Sequence, residues 1–404
     1  MNTAYKLQGI HRHYEWGGSA FIPQLMQVDN AIGKPFAEYW MGAHPSAPAM
    51  VKTVEGLKAL DQIIQENKSE FLGVSIAAQF GTLPYLFKIL DVEKMLSIQV
   101  HPSKENAEKG FLKEQLAGVP LDAAHRNYKD QNHKPEVMVA LSDFWLLHGF
   151  MPANALKERL SSITPLQTLL PVFGQEDYAA LYSHFMRLDS AAADKILKPL
   201  LDIAVDEVAA GKVDKSHPHW WANKYYGGII PASNIDKGIL SIYILNIVNV
   251  PKHQGVFQGA GLLHAYLEGQ NIELMANSDN VLRGGLTPKH IDIEELLAHI
   301  KFEPTYPSIL NGDLKNSNEV QFPCPVPDFG LTKITLSQGE AYTNETNSFE
   351  MFLLMQGEVL LDGIDLKPVN WLQSRLDRPI ISNQQGPKRL KYSNLLCHKR
   401  IIHI

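Results

Sequence analysis

From residue 1 to about 150, short apolar runs alternate with Gly, Pro and Asn punctuation, as in Pro84–Asp91 and Met95–Val100. This texture predicts short strands joined by loops, with a few helical turns. From Met151 to about Ala222 the period lengthens: Ile196, Leu197, Leu200, Leu201, Ala204, Val205 and Val208 recur at helical spacing, and Gly211 supplies a stop. Pro199 falls inside that pattern and predicts a kink or a later start. Thr164 and Pro165 read as an N-cap and first-turn pair. From about Gly227 the β texture returns. Ile239–Val250 predicts a strand buried on both faces, and Gly255, Gly259, Gly261 and Gly269 punctuate the residues beyond it. Thr287-Pro288 is expected to open a helix carrying Ile291, Leu296, Leu297 and Ile300. Beyond about Phe302, Leu331–Leu336 alternates, and the apolar run Met351–Met355 ends at Gln356-Gly357. The expected fold is therefore mainly β, with jelly-roll or barrel domains and an α-helical insertion. The expected division is a first part of a β-domain at 1–150, a helical insertion at 151–222, the second part of the β-domain at 223–301, and a C-terminal β-domain at 302–404.

With 404 residues the chain exceeds the size at which one hydrophobic core stops growing, which agrees with several domains. The net charge of −6 gives no basic field, so neither nucleic acid nor an anionic membrane is an expected partner. A phosphorylated ligand would need a local basic pocket. The stretch Met1–Ala20 is interrupted by His11, Arg12, His13 and Glu15 and has no apolar segment of signal-peptide type. The longest apolar stretch, Ile239–Val250, contains Ser241, Asn246 and Asn249 and is too short to span a bilayer. Cys324 and Cys397 have neither metal spacing nor a disulfide framework. A reducing cytoplasm is the expected setting, and a monomer is compatible with the sequence.

Chemistry concentrates in three segments. In Ser97-Ile-Gln-Val-His-Pro102, Gln99 and His101 lie two apart and share one face of a strand. About thirty residues on, Tyr128–Glu136 is dense in side chains able to bind metals, protons and phosphates. Gly261–Gly269 then places His264 inside a Gly-bounded apolar strand pattern. A single histidine in such a strand is more often a core residue than a ligand, and the chain has 16 histidines. Two imidazoles, a carboxylate and an amide oxygen would nevertheless suit zinc with an open position.

Asn132-His-Lys-Pro-Glu136, preceded by Tyr128 and Asp130, resembles the signature of the type I phosphomannose isomerases. So do Tyr39-Trp-Met-Gly-Ala-His-Pro45, Lys88–Asp91, Gln99–Pro102, Gly261–Ala265, and Ile272–Arg283 continuing to Thr287-Pro288-Lys289. These segments follow the family's order over residues 10–300. The resemblance implies a cupin-like fold and one zinc ion per chain, held by Gln99, His101, Glu136 and His264. It places Arg283 at the catalytic arginine, and Lys88, Ser97 and Lys134 at the wall of the same pocket. Pro368–Arg375 departs from the family's turn in the C-terminal β-domain.

The implied reaction interconverts mannose 6-phosphate and fructose 6-phosphate by proton transfer between C1 and C2 through an enediol. It needs a base, an electrophile and a phosphate clamp. Arg283 could stabilise the enediolate or hold phosphate. Glu273, His133 and Lys134 are candidates for the base, with Glu273 preferred because it follows His264 by nine residues in a second apolar strand. Glu273 could instead orient a ligand. Two other classes stay open: an iron-dependent cupin oxygenase, and a non-catalytic sugar-binding β-protein.

Overall fold

The computed structural model describes residues 4–342, 348–361 and 364–366, together with the backbone of the strands at Ile380–Ser382 and Ile401–His403. Pro368–Arg375 and Cys397 lie outside the described residues.

Ten antiparallel strands form the framework around which everything else is arranged. Their centre is His264–Ala276, a 13-residue strand shared by two layers. Its N-terminal half pairs with Phe144–Phe150 and Ile98–Val100, and its C-terminal half pairs with Tyr85–Val92 and Glu136–Ala140. Glu38–Gly42 extends the second layer beyond Tyr85–Val92. Gly255–Gln258 pairs with Glu136–Ala140, Leu282–Gly285 with Ile98–Val100, and Leu245–Val250 with Phe144–Phe150.

Both faces of Glu38–Gly42, Tyr85–Val92 and Glu136–Ala140 are buried, which explains their near-continuous apolar runs. On Tyr85–Val92, Phe87 and Ile89 join an outer core, whereas Leu90 and Val92 join the core between the layers. The inner core also takes Met138, Leu146, Val248, Val256 and Tyr266. It is apolar at one end only. At the other end the inward positions carry Glu38, Lys88, Glu136, His101, His264 and Glu273, all buried.

Expected and observed elements differ in instructive places. Leu331–Leu336 forms the strand its alternation predicts. The helix through Pro199 is continuous over Ser190–Ala209, capped by Asp189, and is followed by Gly211 in the left-handed region at φ 64°. Ile239–Val250, expected as one strand, is a helix over Gly238–Ile244 followed by a strand over Leu245–Val250. An all-apolar run carries no period, and burial on every side satisfies either form. Thr287-Pro288 does not open a helix; Asp292 caps Ile293–His299 instead, accepting from the Glu295 amide. Likewise Ile163, not Thr164, precedes the 3-10 turn at Thr164–Leu169. Helices continue past residue 222, through Pro218–Tyr226 and Gly238–Ile244, and pack their apolar faces on the outward side of Ile98–Val100, Phe144–Phe150 and Leu282–Gly285. The N-terminal strand Ala4–Gln8 pairs with Ile380–Ser382, which binds the start of the chain to its C-terminal region.

Candidate metal centre and its comparisons

His264 and Glu273 are nine residues apart, an odd number that would put them on opposite faces of a regular strand. They lie on one continuous strand, not on two, and a β-bulge between Tyr266 and Glu268 adds a residue. Gly269 comes next at φ 122°, where an added Cβ would lie 2.7 Å from the Asp143 carbonyl oxygen. The bulge resets the alternation. Ala265 and Leu267 pack outward before it, Ile272 and Leu274 pack outward after it, and His264, Tyr266 and Glu273 all point inward.

Register assembles the rest. Gln99 pairs with both His264 and Arg283, and His148 pairs with His264 on its other side, so Arg283, Gln99, His264 and His148 form one row across four strands. His101, two residues beyond Gln99, and Glu136, opening its own strand, complete the centre. Ser97 precedes the Ile98–Val100 strand and is partly exposed.

One ligand atom each from His101, Glu136 and His264 lies within 4.8 Å of the others. The Nε2 atoms of His101 and His264 stand 3.4 Å from the two oxygens of Glu136. Nδ1 of His101 faces the Asn280 carbonyl at 2.8 Å, and Nδ1 of His264 faces the Leu262 carbonyl at 2.9 Å. A carbonyl can only accept, so each Nδ1 carries the ring proton and each Nε2 of the neutral ring presents a lone pair. Burial, reinforced by Lys134, lowers the His101 pKa to about 4, which keeps that ring neutral. Burial alone would raise the Glu136 carboxyl, but the Lys134 ammonium beside it outweighs burial and holds Glu136 well below the usual carboxylate range. The His101 lone pair therefore faces an ionised carboxylate. His101 Nε2, His264 Nε2 and Glu136 Oε2 are buried without a hydrogen-bond partner. A divalent cation would satisfy all three at once, and these residues fit one.

Around this centre, Lys134 places Nζ 2.9 Å from Glu136 Oε1. Lys88, also buried, lies 2.8 Å from Glu273 Oε2, and the Tyr266 hydroxyl donates to Glu273 Oε1 at 2.9 Å. Burial opposes charge on Lys88, yet Glu273 and Glu38 hold its pKa above the ordinary lysine value. Glu38 is pushed up by its own burial, with Lys88 offsetting only part of the effect. Arg283 is drawn down by burial and sits near two other cations, Lys129 and Lys289. His133 turns to Asp328, with Nε2 at 3.0 and 3.1 Å from the two carboxylate oxygens, so any proton it handles must pass through Nδ1.

Several site residues escape sequence reasoning. Asn280 is fully buried; its carboxamide accepts from the Lys129 amide and donates to the Asp130 and Asn132 carbonyls, fixing the loop before Glu136. Glu38, Tyr266 and His148 also line the interior. A period-two count from Trp40 or His264 finds Glu38 and Tyr266, whereas Asn280 carries no local signal.

A two-imidazole, one-carboxylate centre inside a β framework, with a second buried carboxylate–lysine pair beside it, defines a metal-dependent enzyme site. The profile of the phosphomannose isomerase type I catalytic domain matches residues 4–153. Mannose-6-phosphate isomerase of Escherichia coli K12 is 36% identical over 375 residues, covering 90% of this chain and 92% of the relative. That of Homo sapiens is 30% identical, covering 86% of each. A solved structure of the Salmonella typhimurium mannose 6-phosphate isomerase, bound to its substrate fructose 6-phosphate and to zinc, superposes with a TM-score of 0.84 at 32% identity, covering 99% of this chain and 98% of that one. The chain belongs to the type I mannose-6-phosphate isomerases.

Proposed function

We propose that this chain is a zinc-dependent aldose–ketose isomerase that interconverts mannose 6-phosphate and fructose 6-phosphate through an enediol, on a cupin-like jelly-roll framework. The observation that carries the reading is the convergence of the His101 and His264 Nε2 atoms on the ionised Glu136 carboxylate. His101, Glu136 and His264 would hold the metal, with Gln99 beside them as the fourth ligand. When bound, zinc supplies Lewis-acid stabilisation of charge developing on the sugar's C1 and C2 oxygens.

The protein's own groups divide the remaining work. Glu38 and Glu273 bracket Lys88, and their environments separate them. Burial favours the protonated form of Glu38, whereas Glu273 accepts from both Lys88 and Tyr266. Glu273 takes the proton from one carbon and returns it to its neighbour, and Lys88 and Tyr266 hold it in place. Lys134 keeps Glu136 ionised. Arg283, with Lys129 and Lys289 nearby and no ion pair of its own among the described residues, faces the anionic part of the substrate. Ser97, on the approach to Gln99, lines the pocket.

The test is a coupled assay on purified protein supplied with mannose 6-phosphate. Formation of fructose 6-phosphate that stops on chelation and returns with zinc is the expected result. Zinc-loaded protein that forms no fructose 6-phosphate removes the proposal.

A further inference from the structure

A second group of two imidazoles and a carboxylate lies in the helical insertion, and none of its members takes part in the reaction described above. Glu207, His217 and His219 each place one ligand atom within 4.8 Å of the others, the same separation that defines the centre at Glu136. Among the described residues these are the two groups of this kind. Glu207 stands in the last turn of Ser190–Ala209, His217 is the N-cap of Pro218–Tyr226, and His219 is that helix's second residue. Pro218 starts the helix between the two imidazoles, whose ring centroids are 4.5 Å apart. Both helices join one hydrophobic core, through Leu200, Leu201 and Ala204 on the first and Trp221 on the second, so their relative placement is fixed by packing.

Hydrogen bonding within the protein accounts for this group incompletely. Nδ1 of the buried His219 lies 2.7 Å from Glu207 Oε2 and donates to it. Nε2 of the same ring is then a lone pair, buried without a partner beside the Tyr243 ring, whose hydroxyl is unpartnered too. His217 Nδ1 accepts from the His219 amide at 3.3 Å, beyond the usual range for such a bond. Zinc takes neutral imidazole and carboxylate ligands and commonly keeps one position for water. A cation seated between Glu207 and His219 takes the place of the proton they share, and the ring stays neutral with its proton on Nε2. Glu207 is one-third exposed, which opens the group to ions from solvent. The Arg159 guanidinium is within electrostatic reach of both imidazoles, but Glu207 and Asp214 set two negative charges against it.

We propose that Glu207, His217 and His219 form a second zinc site, separate from the isomerase centre. The ion fastens the end of one helix to the start of the next across residues 210–216. Trp221 of the fastened helix packs on Trp145 of the Phe144–Phe150 strand, so the site holds the insertion to the β framework.

The experiment counts zinc by elemental analysis after metal-stripped protein is dialysed against micromolar free zinc. Wild type should hold two ions per chain, and His217→Asn and Glu207→Gln one each, with isomerase activity retained. Asparagine keeps the capping role of His217, and glutamine keeps the length of Glu207. In Glu136→Ala the count should be one, falling to none when His217→Asn is added, so the second site is measured even if the isomerase reading fails. Cobalt(II) in Glu136→Ala should show a visible ligand-field band that His217→Asn abolishes, which non-specific surface adsorption would not produce. Added zinc should raise the Tm of Glu136→Ala but not of the double variant. A single zinc per wild-type chain overturns the proposal, as do two ions retained by either single variant or a cobalt band indifferent to His217→Asn.

Discussion

The backbone carbonyl of Asn280 accepts a hydrogen bond from Nδ1 of His101 at 2.8 Å, across 179 residues of sequence. The same residue's carboxamide ties down the loop that leads to Glu136. One residue thus sets the tautomer of His101 and the approach of Glu136. Asn280→Ala should weaken zinc binding by about 10–100-fold, the usual cost of losing such outer support. Competition with a chromogenic chelator measures this, and unchanged affinity would show that the loop holds its shape without Asn280.

His264→Ala and Glu136→Ala should each lose metal and activity together, because each removes a ligand atom from a three-atom set. Metal content by elemental analysis, set beside the coupled assay, decides the point. A variant that keeps one zinc per chain and full turnover is not missing a ligand.

Glu273→Gln keeps the shape of the side chain but removes its basicity and the counter-charge of the buried Lys88. A fall in kcat of about 100-fold or more is expected for loss of a general base. Zinc content should stay near wild type, since Glu273 is not in the ligand set. Normal kcat would transfer the base's role to another group, with Lys134 next in line.

Acid should destabilise the metal-free protein earlier than carboxylate titration requires. Burial lowers His11 and His101 to about 4 and His148 to about 3, from an ordinary 6.5. Between pH 6.5 and about 4 the unfolded chain therefore binds more protons than the folded one, and stability rises with pH across that window. The urea midpoint should fall steadily as pH is lowered from 7 towards 4.5. A midpoint that is flat down to pH 5 would mean these imidazoles charge freely in the fold.

Arg283→Lys separates chemistry from clamping. The guanidinium can form two directed hydrogen bonds, whereas the ammonium is a compact point charge. If Arg283 stabilises the enediolate, kcat drops by about 100-fold with little change in KM. If it holds phosphate, KM rises. Unphosphorylated mannose, where the wild type turns it over measurably, is the control: equal rates for wild type and Arg283→Ala on that sugar eliminate the enediolate role.

Local signals were enough for much of this molecule. An apolar run bounded by turn residues marked Tyr85–Val92, alternation marked Leu331–Leu336, and helical spacing with a closing glycine marked Ser190–Ala209. The family resemblance implied Gln99, His101, Glu136 and His264, and the fold brings together a ligand atom from each of His101, Glu136 and His264. Other features were decided only when the chain closed on itself. Ile239–Val250 became helix then strand because an apolar run without a period takes its form from its neighbours. Glu273 faces the site only because a bulge near Gly269 reverses the alternation, and bulges depend on the register of adjoining strands. Asn280 and His101, Lys88 and Glu273, and Gln258 and Glu136 meet across long separations, through pairings whose hydrogen bonds are made by backbone atoms common to every residue. The sequence by itself named the chemical groups. Their tautomers, ion pairs and facing directions arise from which strands lie side by side, and that is a property of the whole folded chain.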